Sequence, residues 1–197
     1  MGPLVKNCWQ QDSGDWHGVR IVGTFLAVGT LLFAGAGTAM ALTLTSSAFS
    51  AGGKIPSKYT CEGNDISPPL AFAGVPNGTK SLALVIDDPD APDPKAPKLV
   101  WVHWVVFNLP ADSKGLSESP SGRDLPKGAV TGLNDWKKTS YGGPCPPVGR
   151  HRYFHKLYAL DVTLPAKALT KSDLQAAMNG HVLAQAELIG TYQKGDP

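Results

Sequence analysis

The chain has 197 residues, 42% of them hydrophobic and 17% charged, with a formal net charge of +2 at pH 7. That length suits one domain with a substantial core and is short for two. The near-neutral balance gives no argument for nucleic acid, which selects a basic face or stripe, or for a polybasic membrane patch.

The chain opens with an apolar run. Residues 21–37, IVGTFLAVGTLLFAGAG, carry no charge; Arg20 precedes them and Ala39-Met40-Ala41 follows. A basic residue, an apolar stretch and a small-x-small site in that order predict an export signal over 1–41. Cleavage after Ala41 leaves a domain over 42–197 in the periplasm or outside the cell. A retained membrane anchor is one alternative, although 17 residues are short for a span. A later start codon is another. A start near Val19 gives a more ordinary leader, and one near Met40 leaves the protein cytoplasmic. Cys8 departs with the leader, so Cys61 and Cys145 remain. In an oxidising compartment they are read as one disulfide, with two buried thiols as the alternative.

Beyond the leader, Gly and Pro are frequent, 22 and 17 in the whole chain, which favours turns over long helices. Leu42 to Phe49 alternates at its start and reads as an opening edge strand. Ser81 to Ile86, Leu99 to Leu109 and Tyr153 to Leu164 are apolar runs rich in strand formers, each bounded by turn residues. Ile55 to Pro69 and Leu109 to Pro147 show little periodicity, and loops of that length in a compact domain are usually functional. Thr170 can cap a helix over Lys171 to Met178, with Asp173 in its first turn and Gly180 past its end. His181 to Tyr192 is ambiguous between helix and strand. The pattern predicts a mainly β protein with one or two short helices, a sandwich or barrel.

Three features carry candidate chemistry. Asp87-Asp88-Pro89-Asp90-Ala91-Pro92 follows a strand directly, and its prolines stiffen the loop that presents Asp88 and Asp90. Without more context this reads as a polar turn. His103 is the sole ionisable group in the run LVWVHWVVF, and burying it costs free energy unless it is hydrogen-bonded. A satisfied core histidine is its ordinary meaning. Tyr141 to Tyr153, YGGPCPPVGRHRY, is a glycine- and proline-dense loop that lets backbone approach a ligand. It delivers His151 and Tyr153, two apart at a strand start and so on one face. His155 and His181 read as ordinary structural histidines. Lys and Arg are spread along the chain, as on a solvated surface.

Taken together, DPDAP, the central-strand histidine, and GGPCPP followed by HRY resemble the phosphatidylethanolamine-binding protein family, in particular its bacterial Raf-kinase-inhibitor-like members. YTCEGNDISPPL and HVLAQAELIGTY fit the same group, and the resemblance covers about Leu42 to Lys194. It implies two packed antiparallel sheets with a small cavity at one end, lined by Asp88, Asp90, His103, His151 and Tyr153. Gly143-Pro144-Cys145 would form its wall and supply N–H donors, Cys145 standing where eukaryotic members have glycine. The resemblance further implies a phosphate-like anion or phospholipid head group as ligand.

The expected activity is therefore binding without catalysis, cofactor or metal, with Asp88 or Asp90 orienting the histidines. A protein partner such as a protease or host factor, and a homodimer through open β edges, accompany that reading. The alternative is a metal-assisted hydrolase using the same His/Asp cluster. It rests on residue type alone, since no metal-ligand spacing is present.

Overall fold

A computed structural model of the chain describes residues 40–120 and 124–196. The leader read in residues 21–37 lies outside them. No helix among the described residues is long and apolar enough to cross a membrane.

In chain order the first strands are β1 (Thr43–Thr45), β2 (Ile66–Ser67), β3 (Leu70–Ala73) and β4 (Ser81–Asp88). There follow β5 (Trp101–Pro110), β6 (Gly115–Leu116), β7 (Ser119–Pro120) and β8 (Val130–Thr131). The last elements are β9 (His151–Leu160), helix α1 (Lys171–Met178) and β10 (Val182–Tyr192). A five-stranded sheet runs β10-β9-β4-β5-β8, a three-stranded sheet runs β1-β3-β6, and β2 pairs with β7. The pairings within these sheets are all antiparallel.

β4 is the centre of the large sheet and is buried along its whole length. Its two faces enter different cores, which is why its sequence is a continuous apolar run rather than an alternating one. Leu82, Leu84 and Ile86 pack with Leu44, Leu70 and Phe72 of the small sheet. Ala83 and Val85 pack with Leu174 and Met178 of α1. The helix begins where its sequence predicts: Thr170 and Asp173 form a reciprocal capping box.

Several elements differ from expectation; β5 and β9 are each shifted by a few residues from the runs read in the sequence. The opening strand is only three residues long. The segment over 182–192 is a strand, because its backbone pairs with β9 from Val182↔Leu160 to Tyr192↔His151. β4 runs on through Asp87 and Asp88, since Asp87 pairs with Val102 and Phe154 on its two sides. Burying that carboxylate requires partners. Lys156 supplies them at 2.8 and 3.0 Å and Lys171 at 2.5 Å.

Two register shifts interrupt the β4–β5 ladder. Ile86 faces Trp104 and Asp87 faces Val102, so His103 is the extra residue of a β-bulge. Val102 packs on the helix side of the sheet and Trp104 on the other. The bulge lets His103 and Trp104 share a face, which strict alternation forbids. His103 is thereby turned toward the small-sheet side, where its ring meets Tyr153 edge-on at 5.2 Å.

Candidate functional site: a cavity at the sheet end

A cavity of about 630 Å³ opens where β4, β5 and β9 begin or end. The two long aperiodic segments supply much of its wall. Cys61 and Asp65 come from the first, and Trp136, Lys138 and Tyr141 to Gly143 from the second. A disulfide joins Cys61 to Cys145 with Cα atoms 5.4 Å apart, and both residues face the cavity. Three hydrogen bonds reinforce this junction. Cys61 N–H donates to Pro144 O (3.1 Å), Tyr141 O–H to Tyr59 O (2.9 Å), and Gly143 N–H to Asp65 Oδ1 (2.6 Å).

The glycines are required by these close approaches. A Cβ on Gly143 would lie 2.6 Å from both Asp65 Oδ1 and Tyr59 O. One on Gly142 would lie 2.6 Å from the Trp136 ring.

At the base of the site Asp88 and His151 meet. Asp88 Oδ2 accepts from His151 Nδ1 at 2.7 Å, and Oδ1 accepts the Asp90 N–H at 2.8 Å. His151 Nε2 faces Val148 O at 2.9 Å. Both ring nitrogens thus face oxygen partners within the protein. His151 is an internally committed group, held by the strand end and by the loop that precedes it.

His103 is arranged differently. Its Nδ1 lies 2.7 Å from Gly142 O, a contact that needs the hydrogen on Nδ1. Burial holds its pKa below the ordinary histidine value, outweighing the hydrogen bond to Gly142. The ring is therefore neutral, and Nε2 is a bare acceptor. It is buried and has no hydrogen-bond partner. Trp101, which also lines the cavity, has a buried Nε1–H with no partner. Unsatisfied buried polar atoms are uncommon in folded proteins; among the described residues Trp104 Nε1, Tyr153 O–H and His155 Nε2 share this state without lining the cavity. Here the lone donor and the lone acceptor belong to two residues that both line one cavity.

The residues singled out from sequence divide into two groups. Asp88, His103, Gly143, Cys145 and His151 line the cavity. Asp90, Pro144 and Tyr153 stand behind its wall. Pro89 turns the chain so that Asp90 takes a separate partner, accepting from Arg152 N (2.9 Å), Nε (2.9 Å) and Nη2 (2.7 Å). The Arg152 guanidinium holds the Asp90 carboxyl below the usual carboxylate range. Tyr153 lies one step deeper along β9 than His151 and packs under His103. Burial, with Asp88 nearby, raises its phenol pKa. The loop N–H donors expected to hold an anion are already used in part: Gly143 donates to Asp65, and Gly142 donates to His103 O at 3.2 Å.

Sequence reasoning missed Asp65, Trp101, Trp136 and Lys138 on the cavity wall. Asp65 adopts a positive φ of 54° inside an aperiodic loop, and nothing in its neighbours distinguishes it from a turn residue. His155 is buried without lining the cavity, and His181 pairs with Asp161 at 2.8 Å away from it. Among the described residues no group of three or more His, Cys, Asp or Glu is placed to hold a metal ion. The hydrolase alternative gains no support from these side chains.

The sequence model of the family described as phosphatidylethanolamine-binding protein matches residues 45–193. The chain belongs to the phosphatidylethanolamine-binding protein family. A UPF0098 protein of Methanothermobacter thermautotrophicus is 53% identical over 156 residues, covering 78% of this chain and all of the relative. The family therefore extends to archaea, and the sequence relatives do not restrict this chain to bacteria. A crystal structure of a phosphatidylethanolamine-binding protein homologue from Chlamydia trachomatis superposes with a TM-score of 0.72 at 47% identity. It covers 78% of this chain and 98% of the other. Escherichia coli YbcL, described as a member of the mammalian family, superposes at 0.70 with 33% identity over 78% of this chain and 99% of its own.

Proposed function

We propose that this family member is a binding protein whose cavity takes a small phosphate-bearing ligand, free or as a phospholipid head group. The observation that carries the reading is the pair of unpartnered atoms, His103 Nε2 and Trp101 Nε1–H, in the wall of one cavity. A protonated phosphate, or an ethanolamine phosphate, both donates and accepts hydrogen bonds. Such a ligand satisfies the acceptor and the donor together, and each bond it makes replaces an unmet desolvation cost. Lys138 on the wall adds a positive charge suited to phosphate.

His151 and Asp88 serve this site as a frame. Their bond fixes the strand end against the 144–150 loop and leaves no ring nitrogen of His151 for the ligand. Export is part of the same reading. The leader pattern and the Cys61–Cys145 disulfide both suit an oxidising compartment.

Titration calorimetry with inorganic phosphate, phosphorylethanolamine and sulfate tests this. Phosphate and phosphorylethanolamine are expected to bind. Sulfate, which carries no hydrogen to give at pH 7, is expected to bind at least about tenfold more weakly, the weight of one unmade hydrogen bond. Equal binding of sulfate and phosphate, or no binding of either phosphate compound, contradicts the proposal.

A further inference from the structure

The Cys61–Cys145 bridge is set where a reagent can reach it. Both cysteines line the cavity, Cys61 being exposed and Cys145 half-buried. Cys61 opens a run of exposed residues, 61–65, that follows the short turn of helix over Ser57–Tyr59. Cys145 lies between prolines. Pro144, Pro146 and Pro147 carry no N–H, so the backbone on either side of it has little with which to join a ladder. A bridge that serves only as a staple needs no such access, and the two apolar cores of this fold lie elsewhere, on the faces of β4.

The bridge also heads a chain of contacts that ends on the atom the ligand meets. Cys145 is close in sequence to Gly142 and Gly143. Gly143 N–H donates to Asp65 Oδ1 at 2.6 Å, and Asp65 belongs to the exposed segment that Cys61 opens. Gly142 O accepts from His103 Nδ1 at 2.7 Å, and Gly142 N–H donates to His103 O at 3.2 Å. The segment that the bridge fixes therefore holds one side of the His103 ring. The other side of that ring carries Nε2, buried and without a partner. The hydrogen bonds beside the bridge, from Cys61 N–H to Pro144 O, from Tyr141 O–H to Tyr59 O and from Gly143 N–H to Asp65, all span the same two segments. Each relies on the close approach that the bridge enforces.

We infer that the Cys61–Cys145 bridge is a thiol-responsive switch on the ligand cavity: reduction weakens phosphate binding, and bound phosphate protects the bridge from reduction. The inference rests on the phosphate reading of the cavity. The electron donor is a dithiol, small or carried by a protein. One of its thiolates attacks the sulfur of Cys61, the more exposed residue of the pair. The S–S bond breaks, a mixed disulfide forms on Cys61, and Cys145 leaves as a thiolate that takes up a proton. The donor's second thiolate then attacks the mixed disulfide, closes the donor's own disulfide and releases Cys61 as a thiol. Two electrons and two protons thus pass from the donor to the protein. With the bridge open, the hydrogen bonds between the two segments remain, so the cavity loosens without collapsing. Binding and reduction share one coupling free energy. The factor by which reduction weakens phosphate binding equals the factor by which phosphate disfavours reduction.

Calorimetry with inorganic phosphate on the full chain, oxidised and then reduced by dithiothreitol without denaturant, tests the switch. Intact mass registers the added hydrogens, and near-ultraviolet circular dichroism reports the fold. Reduction is expected to weaken phosphate binding about tenfold with the fold retained, and reoxidation is expected to restore it. Cys61→Ser/Cys145→Ser is expected to bind at the weaker level with or without dithiothreitol. In mixtures of reduced and oxidised dithiothreitol, saturating phosphate is expected to raise the ratio that opens half of the bridges by the same factor. That factor, about tenfold, corresponds to about 30 mV. Sodium chloride of equal ionic strength is expected to leave the ratio unmoved. Equal affinity in the two states, reduction that occurs only with unfolding, or a ratio that phosphate does not move overturns the switch and leaves the phosphate reading intact. Absence of phosphate binding in the oxidised protein refutes that reading, and the switch falls with it.

Discussion

Asp88 and His151 are joined by a 2.7 Å hydrogen bond with side-chain exposures of 5% and 0%. The bond ties the end of β4 to the start of β9, two strands that pair along most of their length, and to the loop behind the cavity. Asp88→Ala leaves the His151 ring facing an empty position while its other nitrogen still meets Val148 O. A buried pair broken on one side costs about 3 kcal/mol. Urea unfolding is expected to show a loss of that order, together with weakened phosphate binding because the wall loses its frame. A stability equal to the parent's means the pair is not structural.

Asp90 provides the contrasting case. Sequence places it beside Asp88 in a ligand-facing loop, but its carboxylate is committed to Arg152. Asp90→Asn is therefore expected to reduce stability modestly, by about 1 kcal/mol, since Arg152 is largely exposed. Phosphate affinity in calorimetry is expected to stay within about twofold of the parent, far less than one tenfold step of 1.4 kcal/mol. A large loss of affinity without loss of stability would return Asp90 to the ligand.

The difference between these two residues shows what the sequence can and cannot convey. Strand and helix positions were legible because burial on one or both faces leaves apolar runs, as in Ser81 to Ile86, and because Thr170 and Asp173 mark a helix start. His103 was legible as an ionisable group in an apolar strand. Its direction was not, because the bulge that turns it depends on which β4 residue faces which β5 residue. Asp65, Trp136 and Lys138 sit in aperiodic loops, whose course is set by distant anchors such as the Cys61–Cys145 bridge and the Tyr141–Tyr59 hydrogen bond. Residues held by tertiary anchors of that kind leave no local pattern.

The bridge itself makes a stability prediction. Its cysteines are 84 positions apart, and closing a loop of that length restricts the unfolded chain by about 4.5 kcal/mol in the chain-entropy model. Cys61→Ser/Cys145→Ser is expected to shift the urea midpoint by a corresponding amount. Part of the binding is expected to remain, since three hydrogen bonds still join the two segments. An unchanged midpoint would show that the bridge contributes nothing to folding.

His155 sets a pH dependence. It is buried beside Phe49, ring centroids 5.4 Å apart, and burial lowers its pKa from 6.5 to about 4. The unfolded chain therefore takes up a proton below about pH 6.5 that the folded protein refuses until about pH 4. Stability is full above pH 6.5 and falls across that window, by on the order of a few kcal/mol. His103 acts in the same direction. The depressed carboxyls of Asp90 and Asp196 lose their contribution only at lower pH. Urea unfolding from pH 8 to pH 4.5 is expected to show the decline, and His155→Leu is expected to flatten it. An equal decline in His155→Leu assigns the effect elsewhere.

His103 Nε2, a buried acceptor with no partner in the protein, is the atom the proposed ligand meets. Nitrogen-15 NMR of histidine-labelled protein, titrated with inorganic phosphate at pH 7, reads that atom directly. Before phosphate, His103 is expected to show one protonated nitrogen, Nδ1, and one bare nitrogen, Nε2. On saturation the Nε2 resonance is expected to move toward that of a hydrogen-bonded or protonated nitrogen, while the His151 nitrogens, which already face Asp88 and Val148, stay unmoved. Saturable phosphate binding that leaves His103 Nε2 unmoved would contradict the account.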